Sequence, residues 1–79
     1  MKVLLGTTVG DAPANVQAEL RLRLYEIADS LETIPKGGSL WRSMTLSGFL
    51  LDVGSWRFEY RIDDAGNRLV VTAALFKQT

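Results

Sequence analysis

The sequence contains neither cysteine nor histidine, and these two absences exclude several classes of functional site. Without cysteine the chain forms no disulfide bond and offers no thiolate nucleophile. Without either residue it cannot build a Cys/His zinc site, a Ser-His-Asp triad or an imidazole proton shuttle. A chain of 79 residues is also too short to enclose a large cofactor deeply. We therefore expect no metal and no cofactor.

Long apolar runs and an excess of one charge are also lacking. The N-terminal apolar run has three residues, whereas a secretory signal needs about 7–15 and a membrane span roughly 20. Nine basic residues balance nine acidic ones, so the total charge indicates neither nucleic acid nor an anionic membrane as a partner. These features predict a cytoplasmic protein with one domain, residues 1–79, and no membrane contact.

The clearest pattern that is present is an amphipathic helix from Ala14 to Ile34. Pro13 suits the first helical turn, Asp11 or Asn15 could cap it, and Pro35 would end it. Apolar residues recur at spacings of three and four, which places them on one helix face: Val16, Leu20, Leu24, Ile27, Leu31 and Ile34.

The remaining segments are typical of β-strands. Residues 2–8 predict a short strand, residues 40–46 an indistinct strand or irregular arm, and residues 49–53 and 56–62 two clear strands. Residues 63–67 predict a hairpin turn, with Gly66 at positive φ. Residues 69–76 are almost wholly apolar, which favours a strand covered on both faces. The elements predict an α+β fold, in which a small twisted antiparallel sheet with the order β-α-β-β-β packs against one main helix.

Residues 46–63 resemble the centre of the RelE/ParE toxin superfamily. In addition, residues 13–35 are similar to a family helix that runs from proline to proline, and residues 68–71 to a valine-rich strand. The family's first long helix is missing, and Leu50 and Asp52 stand where arginine is common. Eleven positions carry the central resemblance: Gly48, Phe49, Leu51, Val53, Gly54, Trp56, Arg57, Tyr60, Arg61, Ile62 and Asp63.

This resemblance implies a toxin of a type II toxin–antitoxin module. RelE-like members cleave mRNA in the ribosomal A site without a metal, and ParE-like members act on DNA gyrase. An antitoxin segment that lies across the toxin neutralises both kinds. The expected partners are therefore an antitoxin protein and either the ribosome with its mRNA or gyrase.

Arg57 and Lys77 are the candidate catalytic residues under this interpretation. Metal-free RNA cleavage needs a base, neutralisation of the phosphorane charge and a proton for the leaving oxygen. The planar guanidinium of Arg57 suits the second task. Either Lys77 or Thr79 falls where the family has another arginine, depending on the register. Arg61 and Arg42 are candidate substrate contacts.

The same residues also have purely structural interpretations. Arg57, Glu59 and Arg61 alternate along one strand, which is typical of a solvated face with cross-strand ion pairs. The aromatic residues at 56, 58 and 60 are expected under the helix, although they could stack on bases. Trp41 with its neighbour Arg42 predicts either an exposed aromatic–basic pair or a lid over the core. Residues 36–79 carry six basic and four acidic residues, a thin excess for binding RNA.

Three hypotheses follow, and the sequence leaves open whether the chain is an enzyme. The chain could be a RelE/ParE-like toxin with depleted catalytic residues. It could be a non-catalytic module of this fold, from a mobile element, that binds a protein or regulates one. It could also be an unrelated α+β domain. In each case exposed strand edges favour a homodimer or a bound peptide strand.

Overall fold

The computed structural model describes residues 1–77 of the 79. Within that range a 3₁₀-helix at Thr7–Val9 lies between the first strand and the first α-helix. The α-helices and strands, in chain order, are β1 (Lys2–Leu4), α1 (Ala14–Leu31), α2 (Ser39–Thr45), β2 (Gly48–Val53), β3 (Trp56–Asp63) and β4 (Arg68–Phe76).

The strands form one mixed sheet in the order β1-β4-β3-β2. The last three strands make an antiparallel meander, in which Gly54 at φ 57° opens a two-residue turn between Val53 and Trp56. The first strand pairs parallel to the last, with Lys2 opposite Arg68. The α+β class is therefore confirmed, but the sheet is mixed and carries two α-helices instead of one.

Both helices cover the same face of the sheet, and the core lies between the two layers. In α1, the stripe predicted from the sequence supplies Leu20, Leu24 and Leu31, which are buried. Trp41 of α2 is 2% exposed, and its indole Nε1 donates a hydrogen bond of 3.1 Å to Asp64. The sheet contributes the other large group of buried side chains: Val53, Phe58, Tyr60, Ile62, Leu69 and Val71.

The alternation along β3 separates the two faces as the sequence predicts. Phe58, Tyr60 and Ile62 point into the core, Trp56 is half-buried beside them, and the charged residues between them point away from the helices. No helix covers this second face among the described residues 1–77. We call it the outer face of the sheet.

Five local predictions from the sequence are wrong. Residues 40–46 are mostly helical, because Trp41 and Met44 are three apart and share the side that meets the core. The predicted strand at residues 2–8 ends at Leu4. The predicted helix to Ile34 ends at Leu31, and the residues after it form turns.

The other two errors concern β4 and the turn before it. Only one face of β4 is covered, since Leu75, which lies opposite Arg57 on the outer face, remains exposed. In the hairpin turn, Asn67 takes the positive φ of 50°, a conformation that asparagine tolerates better than most residues. A Cβ on Gly66 would lie 2.6 Å from an Asp63 carboxylate oxygen, so a larger residue there would displace the Asp63 side chain.

The start of α1 is stabilised by a residue inside the helix. Pro13 occupies the N-cap position without a side-chain hydrogen bond, and neither Asp11 nor Asn15 caps the helix. Gln17 instead donates from Nε2 to the carbonyl oxygens of Val9, at 3.1 Å, and Ala12, at 2.8 Å. These bonds hold the 3₁₀-helix segment against the first helical turn.

Among residues 1–77, no helix has both the length and the apolar character needed to cross a membrane.

Candidate functional site

The candidate site is a charged row on the outer face of the sheet. Arg57, Glu59 and Arg61 are alternate residues of β3, so their side chains leave the sheet on the same side. Asp52 of β2 lies directly opposite Arg57, and Gly48 lies opposite Arg61. The contacts with these neighbouring residues determine which of the charged side chains can bind another molecule.

Arg57 and Lys77 both bind Asp52. Arg57 donates from Nε to Oδ1 at 2.9 Å and from a terminal nitrogen to Oδ2 at 3.3 Å. The Lys77 ammonium lies 3.2 Å from Oδ2. These bonds lower the pKa of Asp52 to about 2, and the bond from Arg57 has the larger effect. The bond to Asp52 in turn raises the pKa of Arg57. The two predicted catalytic residues therefore do come together, but around a carboxylate.

Glu59 and Arg61 have different surroundings from Arg57. Thr72 donates its hydroxyl to Glu59 Oε1 at 3.0 Å, across the irregular pairing between β3 and β4. Arg61 has no ion-pair partner within residues 1–77. Its NH2 nitrogen lies over Gly48, 3.7 Å from where a Cβ would be, and the Glu59 carboxyl carbon is 3.5 Å from the same point. An unpaired guanidinium is thus held at the β2 edge of the sheet.

A second ion pair lies on the outer face, at the end of β3 next to the hairpin turn. Arg68 donates from Nε to Asp63 Oδ2 at 2.7 Å, and the Gly66 backbone N–H donates to Oδ1 at 3.2 Å. Both bonds lower the pKa of Asp63, with the larger effect from Arg68. This pair closes the turn and has the geometry of a structural contact.

Arg42 does not join the candidate site. It is exposed on α2, in the layer on the other side of the sheet from Arg57. Its neighbour Trp41 is buried, so of the two alternatives predicted for Trp41 the lid over the core agrees with the structure and the exposed aromatic–basic pair does not. Thr79, the alternative to Lys77 in the resemblance, lies outside the described residues.

Three exposed leucines share the outer face with the charged row, and sequence reasoning missed them. Leu50 of β2 and Leu75 of β4 are 64% and 61% exposed, and Leu4 of β1 lies on the same face. Leu75 was expected to be covered, because an apolar run does not show which face of a strand remains open. Leu50 was treated only as a missing arginine. The pairing register of the four strands shows that the three leucines lie on the same face of the sheet.

The remaining groups offer little for acid–base chemistry. Tyr60 points into the core, and burial raises the pKa of its hydroxyl, which removes it as a base near neutral pH. The described residues, 1–77, contain no cluster of three acidic side chains placed to hold a metal ion. No cavity opens on the surface formed by these 77 residues. The row can form ion pairs and hydrogen bonds with a surface that lies against it.

No protein-family model, curated protein or solved structure matches the chain.

Proposed function

We propose that this chain is a non-catalytic protein-binding module and that the outer face of its sheet is the binding surface. The observation that supports this function is the arrangement of Leu4, Leu50 and Leu75 around the charged row. Apolar side chains beside a guanidinium are typical of surfaces that bind proteins, where burial of the apolar groups supplies affinity and the charges select the partner.

The hydrogen bonds between Arg57 and Asp52 favour a protein partner over RNA. Its guanidinium already has a two-bond contact with Asp52, and Lys77 binds the same carboxylate. The Asp52 carboxylate already neutralises part of the positive charge that these two cations could offer to a phosphorane. Arg61 is free among the described residues to bind an acidic side chain. The expected partner is therefore a segment with apolar and acidic side chains, and under the RelE/ParE resemblance this segment belongs to an antitoxin.

Site-specific photo-crosslinking in the native host tests this function. A crosslinker replaces Leu75 on the outer face or, as a matched control, Leu22, an exposed leucine on α1. We expect one protein to be captured from position 75 and not from position 22. The Arg61→Glu variant should reduce the capture at least tenfold. Equal capture from both positions, or no protein captured from position 75, would contradict the proposal.

A toxin that cleaves mRNA on the ribosome is the second candidate. The observation that favours it is the convergence of Arg57 and Lys77, the two residues predicted to be catalytic, on one point of the surface. If this function is correct, expression arrests bacterial growth, mRNA is cut on translating ribosomes, and Arg57→Ala relieves the arrest. Arrest with intact mRNA and inhibited gyrase would indicate the ParE-like activity instead. Normal growth and intact mRNA would exclude both.

A further inference from the structure

We propose that two copies of this chain pair through their β2 strands and form a two-fold symmetric dimer. This inference goes beyond the binding function proposed above, because it concerns the edge of the sheet and a second copy of the same chain. Three observations support the dimer. The β2 edge lacks the features that protect the other edge segments, and one register places Leu50 opposite Leu50 of the second copy. In that register the charges near Gly48 and Asp52 complement each other.

Within the described part of the chain the sheet has three exposed edge segments, and β2 is the one without a protective feature. Natural edge strands avoid pairing by being short, by carrying Lys or Pro, or by a bulge. β1 has three residues, one of which is Lys2. The part of β4 that extends beyond β1 contains the register shift opposite Glu59 and Tyr60, and Thr8 contacts it from the 3₁₀-helix.

In contrast, β2 runs regularly over six residues with neither Lys nor Pro. Its one charged residue, Asp52, has its carboxylate directed to Arg57 and Lys77. A strand of this kind is a ready template for an added strand.

The sequence of β2 favours one antiparallel register with its copy. If Leu50 lies opposite Leu50 of the second copy, the two exposed leucines contact each other on the outer face. On the helix-covered face, the half-buried Phe49 and Leu51 then lie opposite each other across the dimer. If Leu51 instead paired with its own copy, Leu50 would lie opposite the Asp52 carboxylate, an unfavourable contact.

The charges complement each other in the favoured register. Gly48 then lies opposite Asp52 of the second copy, and the two β3 residues that lean over Gly48 are Arg61 and Glu59. Arg61 meets that Asp52, whose Oδ1 accepts one hydrogen bond in its own chain and can accept another. Glu59 of the first copy then meets Arg57 and Lys77 of the second copy, which bind the same Asp52 carboxylate. By symmetry each contact occurs twice.

The resulting dimer has a continuous sheet of eight strands, with all helices on one side. Its two outer faces adjoin, and the dimer uses Leu50 and Arg61 of each copy, so a partner of the kind proposed above would compete with the second copy for these two residues. The β2 edges no longer exist, because each pairs with the other.

Sedimentation equilibrium of two leucine variants tests the dimer. Leu50→Lys adds a charge at the proposed interface, whereas Leu75→Lys adds the same charge to an equally exposed position on β4, away from the β2 edge. We expect wild type and Leu75→Lys to sediment as two 8.7-kDa chains at about 100 μM. Leu50→Lys should raise the dissociation constant more than tenfold, with an unchanged circular dichroism spectrum. A monomeric wild type at this concentration would overturn the proposal.

A cysteine variant tests the register directly, since the chain has no other thiol. Directly opposed residues on antiparallel strands have Cα atoms about 4.5–5.5 Å apart, within the range of about 4.4–6.8 Å that a disulfide spans. Leu50→Cys should therefore form a disulfide-linked dimer under mild oxidation, and Leu75→Cys should not. A wild-type dimer whose Leu50→Cys variant does not crosslink faster than Leu75→Cys would overturn the β2 interface.

Discussion

Asp52 is the residue that controls the charged row. Its carboxylate holds Arg57 and Lys77, so it determines whether these cations can reach any other group. Sequence reasoning selected both cations but treated Asp52 only as a departure from a family pattern. The strand register that places Asp52 opposite Arg57 depends on pairing between two strands, and residue types along one strand do not show it.

Acid should remove part of the stability that Asp52 provides. Its pKa is lowered from 3.8 to about 2 by its hydrogen bonds, so the stabilisation is present above pH 3.8 and is lost as the pH falls through 2. We expect the free energy of unfolding in urea to fall more over this interval for wild type than for Asp52→Asn. The Asp11→Asn variant is the control, because Asp11 forms no ion pair within residues 1–77.

NMR titration of the Asp52 carboxyl gives a second measurement of the same contacts. Removal of either cation should raise the pKa of Asp52, and Arg57→Gln should raise it more than Lys77→Gln, because the bond from Arg57 is the larger cause. An Asp52 carboxyl that titrates near 3.8 in the wild-type protein would show that the three side chains do not associate in solution.

Trp41 should contribute to stability through its packing and through one hydrogen bond. Its indole is buried and donates to Asp64 at 3.1 Å. We expect Trp41→Ala to lower the free energy of unfolding by about 3–5 kcal/mol. Asp64→Ala should lower it by about 1 kcal/mol, and Asp64→Asn by less, because the amide oxygen still accepts the bond. An Asp64→Ala protein as stable as wild type would contradict the role given to this contact.

The first helix, α1, attaches to the sheet through one side only. Leu24 is fully buried against the sheet, whereas Leu22, two residues earlier, is exposed. We expect Leu24→Ala to cost about 2–5 kcal/mol and Leu22→Ala to change stability by less than about 0.5 kcal/mol. Urea denaturation followed by circular dichroism measures both. Equal costs at the two positions would mean that α1 faces the sheet differently.

Elements with a long, regular pattern are the ones that could be predicted from the sequence. The stripe in α1 and the alternation in β3 each continue over enough residues to identify the buried side. The segment at 40–46 is too short for this, since Leu40, Arg42 and Met44 fit a strand while Trp41 and Met44 fit a helix. Helix formation there is decided by burial of the Trp41 indole against the sheet, a tertiary effect that local spacing does not reveal.

Hydrogen exchange over the whole molecule should follow the order of strands in the sheet. β3 and β4 are interior strands, and β1 and β2 are at the edges. We expect the slowest exchanging amides in β3 and in the part of β4 that pairs with β1, and faster exchange in β1. Amides of β2 should exchange faster when the protein is diluted, because dilution dissociates the proposed dimer. Rates in β2 that do not depend on concentration would count against that dimer.

The composition of the outer face could be predicted only in part. The alternation in β3 places Arg57, Glu59 and Arg61 together without any structure. The leucines that join them come from three other strands, β1, β2 and β4, and their common side depends on how these strands pair. The partner of β1 in particular lies more than sixty residues away in the sequence. No pattern within either segment specifies that the two strands run parallel.

The parallel pairing of β1 with β4 also sets the order in which the molecule can form during synthesis. β1 leaves the ribosome before β4, but its neighbour in the sheet, among residues 1–77, begins at Arg68. The hydrophobic side of α1 is likewise made before any of the meander that covers it. A nascent chain that stops short of β4 thus displays both surfaces at once, and chaperones that bind exposed apolar segments should act on it until β4 emerges.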